Sequence, residues 1–148
     1  MTFRKGTRYA LYAVMEMARA GPDGQVSVTQ VAERYAIPVT VLAKIFQQLA
    51  RAGLAAGKRG VRGGYALAKH ASDVTVLDVI DAFEPARRSA NCLLEKGAHA
   101  ACKEFQLCRL RTLIDEVDEM SRSTYASVTI ETLVGSRPPQ ALQLRVVK

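Results

Sequence analysis

Cys92, Cys102 and Cys108 are the three cysteines of this 148-residue chain, and they fall within a single stretch of 17 residues. Thiolates are soft donors, suited to iron–sulfur clusters and to zinc. An odd number of thiols cannot pair off completely within one chain, and a reducing cytoplasm keeps them reduced. Spacing alone leaves three readings open. The segment holds an iron–sulfur cluster of the 2Fe–2S or 4Fe–4S type; it holds zinc, with His99 as fourth ligand of a Cys3His set; or its thiols stay unliganded and sense oxidants by forming disulfides. The short Cys-x-x-Cys pairs common in structural zinc sites are absent from the sequence.

A second chemistry lies in the cations. The formal charge is +7, and it is unevenly spread. Residues 1–70 carry 11 Lys and Arg against 3 Asp and Glu, whereas residues 71–148 carry 10 against 11. A basic half beside a balanced half points to a polyanionic partner, with nucleic acid first among them. The cations concentrate at Gly57-Lys58-Arg59-Gly60 and at Arg62-Gly63-Gly64. Glycines there let the backbone come close to a partner, and an arginine so placed suits the narrow minor groove of DNA.

These groups need elements to hold them. Leu11, Val14, Met15 and Ala18 recur at helical spacing over Thr7–Ala20, with Arg8, Glu16 and Arg19 largely off that face. Gly21-Pro22-Asp23-Gly24 ends this helix. Ser27 with Gln30 predicts a capping box and a helix to about Tyr35. A third helix is expected from Pro38 to Ala52, burying Val41, Leu42, Ile45, Phe46 and Leu49 and stopped by Gly53. Residues 54–58 and 64–68 read as two short strands around the cationic tip. The result is a helix-turn-helix followed by a β-wing.

Such a module lays its second helix in the major groove. Pro38, Val39, Thr40 and Lys44 are the candidate contacts there, joined by Arg59 and Arg62 of the wing and by Lys5 ahead of the first helix. Thr40 and Lys44 offer hydrogen bonds to base edges or phosphates, and Val39 an apolar contact to a thymine methyl. Thr75 caps a short helix to Phe83. Leu110, Leu113, Ile114, Val117, Met120, Tyr125, Val128 and Leu133 then mark one long helix over Arg109–Leu133, about 37 Å at the usual rise. That length exceeds so small a domain, so the stripe is expected to meet a second copy of the chain.

Several of these stretches together resemble the Rrf-type winged-helix transcriptional regulators, the group of IscR-, NsrR- and RirA-like iron–sulfur regulators. Lys5-Gly6-Thr7-Arg8-Tyr9-Ala10-Leu11 is similar to the family's opening, and Ile37-Pro38-Val39-Thr40-Val41-Leu42 to the start of its recognition helix. The most specific match is the wing, Ala52-Gly53-Leu54 followed by Arg59-Gly60-Val61-Arg62-Gly63-Gly64-Tyr65. The resemblance implies a homodimer with crossed long helices on double-stranded operator DNA. It also implies an iron–sulfur cluster on Cys92, Cys102 and Cys108 whose state alters DNA binding. The chain departs from the pattern in four places. The gap between the first two cysteines is wider than the family's usual one. Arg111 stands where IscR-like members carry a histidine, and Arg8 where NsrR-like members carry an acidic ligand. Ala43 replaces an acidic recognition residue, which implies a different operator. His99, a carboxylate such as Glu95 or Glu104, or a small external molecule remain as fourth-ligand candidates.

The expected architecture is mainly α with a small β-wing. A winged helix-turn-helix spans residues 1–84, a cysteine-bearing loop 85–108, a dimerisation helix 109–134 and a loose tail 135–148. No run of apolar residues is long enough to cross a membrane, and Arg8, Glu16 and Arg19 interrupt any export signal, so a cytoplasmic protein is expected. No catalytic constellation accompanies His70 and His99, the two histidines. A small iron–sulfur electron carrier would account for the cysteines, but it needs neither the wing nor the capped helix-turn-helix.

Overall fold

The computed structural model describes residues 3–60, 63–84 and 108–135. Helices α1 (Lys5–Arg19), α2 (Val28–Tyr35) and α3 (Val39–Arg51) come first, then strands β1 (Ala55–Lys58) and β2 (Gly64–Leu67). A single 3-10 turn at Ala71–Asp73 leads to α4 (Val76–Phe83), and α5 (Arg109–Ser127) and α6 (Ile130–Val134) close the described fold. The mainly helical architecture with a small wing is the one the sequence predicts. Arg62, Cys92, His99 and Cys102 lie outside the described residues, as do most of the loop and tail segments, 85–107 and 136–148.

Local chemistry explains the element starts. Ser27 Oγ accepts from Gln30 N–H at 3.1 Å, and Gln30 Oε1 accepts from Ser27 N–H at 3.0 Å, so the capping box closes both ways. Thr75 and Asp78 do the same for α4, at 3.1 and 2.8 Å. Ala36 takes a left-handed conformation (φ 51°) to end α2, and Gly53 (φ 71°) follows α3.

The core is built where the helices cross. Phe46, Leu42 and Leu49 of α3, Val14 and Met17 of α1, Val79 of α4 and Ile130 of α6 are all shielded from solvent. Two faces differ from expectation. On α1 the buried residues are Ala10, Ala13, Val14 and Met17, while Leu11, Met15 and Ala18 are only partly covered. On α3, Val41 is 40% exposed and stands outside the buried stripe. Leu42, Ile45, Phe46 and Leu49 make up the buried face of α3, and Val41 falls at its edge.

The single long helix also divides. α5 stops at Ser127, about 28 Å along. Val128 and Thr129 turn extended, Thr129 pairs with Thr75, and Thr129 Oγ1 then caps α6 by accepting from Thr132 N–H at 3.2 Å. Tyr125, Val128 and Leu133 therefore pack on this chain's own core. Only the forward part of the stripe faces outward: Leu110 (54%), Leu113 (55%), Val117 (53%) and Met120 (71%) are exposed.

Among the described residues Glu16 is the charged exception in the interior, 7% exposed, whereas the sequence pattern sets it largely off the apolar face. Its carboxylate accepts from Arg19, from Tyr35 Oη at 2.8 Å and from Arg34 Nη1 at 3.0 Å, joining α1 to α2. Burial alone would raise its pKa. The hydrogen bonds from Tyr35 and Arg19 and the positive charges of Arg34 and Arg19 outweigh burial and hold it below the ordinary carboxylate range.

A carboxyl whose folded pKa is depressed contributes stability that is complete above the unfolded value, near 4.3, and is lost as pH falls through the folded value. Glu16→Gln should cost about 1–3 kcal/mol at neutral pH, because Arg19, Arg34 and Tyr35 lose the charged acceptor that the buried carboxylate gives them. Melting curves from neutral pH to about pH 3 should show the gap between wild type and variant shrinking on acidification. A constant gap would contradict the charged network.

Candidate nucleic-acid interface

The burial of one side of α3 leaves its opposite side to solvent. Val39, Thr40, Lys44, Gln47 and Arg51 are exposed there, and Ala43 is half-buried. Pro38 is the N-cap residue, one step ahead of the first helical position expected for it, and its carbonyl accepts from Val41 N–H and Leu42 N–H, both at 3.0 Å. Unlike α2 and α4, α3 has no side-chain cap. Its first-turn amides therefore sit at a positive helix end beside Thr40 and Lys44, an arrangement suited to a phosphate group.

The wing is rooted on the same core. β1 and β2 pair antiparallel with Ala55 opposite Leu67 and Lys58 opposite Gly64. Tyr65 exchanges two backbone hydrogen bonds with Val26, each 2.9 Å, which extends the hairpin onto the segment just ahead of the α2 N-cap. The Tyr65 ring lies on Phe46, 4.8 Å between centroids, so the wing base and α3 share a side-chain contact. Gly64 is required here because a Cβ would come within 2.6 Å of the Val26 carbonyl oxygen. At the tip, Gly60 has φ 138°, a backbone conformation that other residues rarely adopt, and its carbonyl accepts from Gly63 N–H at 2.9 Å. Arg59 stands exposed beside that glycine, and Lys58 Nζ reaches the Asp23 carbonyl at 3.4 Å. Val28, Gly57, Lys58, Arg59, Gly63, Gly64 and Tyr65 line a recess between the wing and the first turn of α2.

Lys5 is exposed in the first turn of α1. That helix start has no cap of its own. Glu84, at the end of α4, supplies one from 77 or more residues away: its Oε1 accepts from Arg4 N–H at 2.9 Å and from the buried Thr7 hydroxyl at 2.5 Å. Gln48 is a further side chain that helps hold α3 in place and that sequence spacing did not single out. Its Nε2 donates to the Ala82 carbonyl at 2.7 Å and ties α3 to α4. A long-range side-chain bond of this kind leaves no periodic signal.

Of the expected thiol set, the described residues include Cys108 alone. It is half-buried at the N-cap of α5. Among the described residues no group of three or more His, Cys, Asp or Glu side chains is placed to hold a metal ion, and no helix is long and apolar enough to cross a membrane.

Comparison with known proteins agrees with this geometry. Residues 3–136 match the model of the Rrf2 family, described as an iron-dependent transcriptional regulator. The chain is 37% identical to BadM of Rhodopseudomonas palustris, named as an HTH-type transcriptional regulator, over 90% of this chain and 81% of that protein. It is 32% identical to the HTH-type transcriptional regulator IscR of Yersinia enterocolitica, over 88% and 77%. Among solved structures, T. potens IscR superposes with a TM-score of 0.72 at 22% identity, covering 90% of this chain and 86% of that one. CymR, the global cysteine regulator of B. subtilis, gives 0.65 at 27% identity, covering 90% and 96%.

Gly64→Ala should detach the wing base from Val26. The expected cost is about 1–3 kcal/mol, the range for overpacking a filled site. Hydrogen exchange should show the Val26 and Tyr65 amides losing protection ahead of the helical core. Equal protection in variant and wild type would mean that the close approach is not needed.

Proposed function

The chain belongs to the Rrf2 family of transcriptional regulators, and from that premise we propose that it binds a two-half-site operator as a homodimer, under control of an iron–sulfur cluster. It is a DNA-binding regulator of winged-helix fold and not an enzyme. The observation that carries the DNA-reading part is the outward face of α3, with Thr40 and Lys44 beside an uncapped helix start. Pro38 and Val39 flank that start, Arg59 and Arg62 serve the minor groove from the wing, and Lys5 binds backbone phosphate.

The dimer reading is supported by the outward stripe of α5. Leu110, Leu113, Val117 and Met120 are spaced three, four and three residues apart, which is the seam of a two-helix contact. Covering a side chain of this size is worth roughly 1.5–3 kcal/mol. Two copies paired through α5 would present two α3 helices to successive major-groove turns.

The donor set of the cysteine segment fits a cluster chemically. Cys92, Cys102 and Cys108 would hold it, with His99 as candidate fourth ligand, and Cys108 stands outside the sealed core at the start of α5. When bound, such a cluster supplies sensitivity to iron supply, nitric oxide or redox state. The protein's own part is to differ in stability between two placements of the α3 helices, since a signal acts only through such a difference. A cytoplasmic location follows from operator binding. A second reading, in which zinc or bare thiols replace the cluster, is favoured by the likeness to the cysteine regulator CymR.

Two experiments test these readings. With duplexes that the wild type selects from a random-sequence library, Arg59→Ala should weaken binding about tenfold and lower the salt slope by about 1. Unchanged affinity would remove Arg59 from the interface. Anaerobic purification should give a coloured protein with matched iron and sulfide, and Cys102→Ala should lose both. A colourless wild type containing zinc or no metal would transfer sensing to the second reading and leave DNA binding intact.

A further inference from the structure

The last turn of α4 holds three other elements through residues almost adjacent in sequence. Asp81 receives a two-pronged ion pair from Arg122 of α5, Nη1 to Oδ1 at 2.9 Å and Nη2 to Oδ2 at 3.0 Å. Ala82 offers its carbonyl to Gln48 of α3 at 2.7 Å. Glu84 caps α1 through Arg4 and Thr7. The planar guanidinium fork fixes direction as well as distance. α5 is pinned at its far end, where Val128 accepts from Val76 N–H at 2.9 Å and Ile130 N–H donates to the Val74 carbonyl at 2.8 Å. Arg122 lies ahead of that pin, between it and the exposed stripe at Leu110–Met120. A helix held at one end swings about that end, and a second tether further along removes the swing.

We infer that Arg122 and Gln48 are positioning residues that lock the angle between α5 and the recognition helix α3, with the end of α4 as their common anchor, and so set the half-site spacing this protein accepts. The inference rests on the dimeric DNA-binding reading above. Each tether on its own is modest, because Arg122 and Asp81 are both about half exposed and such pairs contribute little to stability. Their effect is geometric. Without the fork, α5 swings relative to α3, the separation of the two α3 helices in a dimer varies, and duplexes of neighbouring spacing become acceptable.

The test uses the full-length protein and duplexes built from the half-site that the wild type selects from a random-sequence library. One set carries paired half-sites whose spacing is varied one base pair at a time; a second carries a single half-site. Wild type should show one preferred spacing. Arg122→Gln should lower the preference over the adjacent spacings by roughly two- to fivefold, with single-half-site affinity and dimer sedimentation unchanged. Arg122→Lys should lie between, since it keeps the charge and loses the fork. A Gln48→Leu variant should flatten the profile in the same sense, because it removes the α3 tether to the same turn. An Arg122→Gln profile as sharp as wild type, or an equal loss on single and paired half-sites, would overturn the inference. If wild type selects no sequence, or binds without any spacing preference, the dimeric operator reading itself fails and takes this one with it. If Arg122→Gln sediments as a monomer, the residue serves assembly and not angle.

Discussion

Phe46 has no solvent exposure, and neither do Leu42 and Leu49 of the same helix. Burying side chains of this size is worth roughly 1.5–3 kcal/mol each, a large share of the 5–15 kcal/mol by which a domain is stable. That burial decides which way α3 faces. With Leu42, Ile45, Phe46 and Leu49 turned inward, Thr40 and Lys44 turn outward as a matter of helical geometry. The same Phe46 ring receives Tyr65, so the wing takes its position from the residue that orients α3. The two surfaces proposed to meet one duplex are thereby referenced to a single buried ring.

A charged layer complements the apolar one. Glu16 binds α1 to α2 through Arg19, Arg34 and Tyr35, and Glu84 binds the start of α1 to the end of α4. Both carboxylates accept from more than one donor, which compensates their removal from water. Hydrophobic contact tolerates sliding and rotation of helices, whereas hydrogen bonds of this kind fix register. The apolar core thus accounts for cohesion, and the carboxylates for the angles between helices.

Much of this was legible from local signals. The capping boxes at Ser27 and Thr75 involve residues three apart, and the wing announces itself by glycines at a tight tip and by Gly64 at a close approach. Legibility failed where a distant partner decides. Val41 continues the helical spacing of Leu42 and Ile45, yet too little of the core reaches it for full burial. Val128 continues the stripe of α5, but the chain breaks there because Thr129 pairs with Thr75 and caps α6. The Thr129-x-x-Thr132 pattern was a local hint of that cap, outweighed by the longer apolar period. Glu16 seemed a surface residue because nothing near it in sequence reveals Arg34 and Tyr35 of the next helix. Of the candidate site, the exposure of the α3 face and of Arg59 follows from the helical stripe and the glycine-rich tip, while the Gln48 tie to α4 left no sequence signal.

The break in α5 changes what the long stripe can do. An unbroken helix from residue 109 to 133 would have offered all its apolar residues to a partner and left the DNA-binding domain attached at one end only. With the chain turned at Val128, Ile130 is instead buried among α1 and the 3-10 turn region, and Tyr125 packs on Phe3 with centroids 5.4 Å apart. The forward stripe is then carried by a domain that holds the rear of the same helix. Cys108 begins that helix, and the chain leaves α4 just after Glu84. One end of the intervening segment thus meets an α4 tied to α3 and to α1, and the other an α5 tied to that same α4. A regulator whose signal must reach a recognition face needs such rigid attachment: energy spent on a soft hinge would be dissipated before it distinguished one placement of α3 from another.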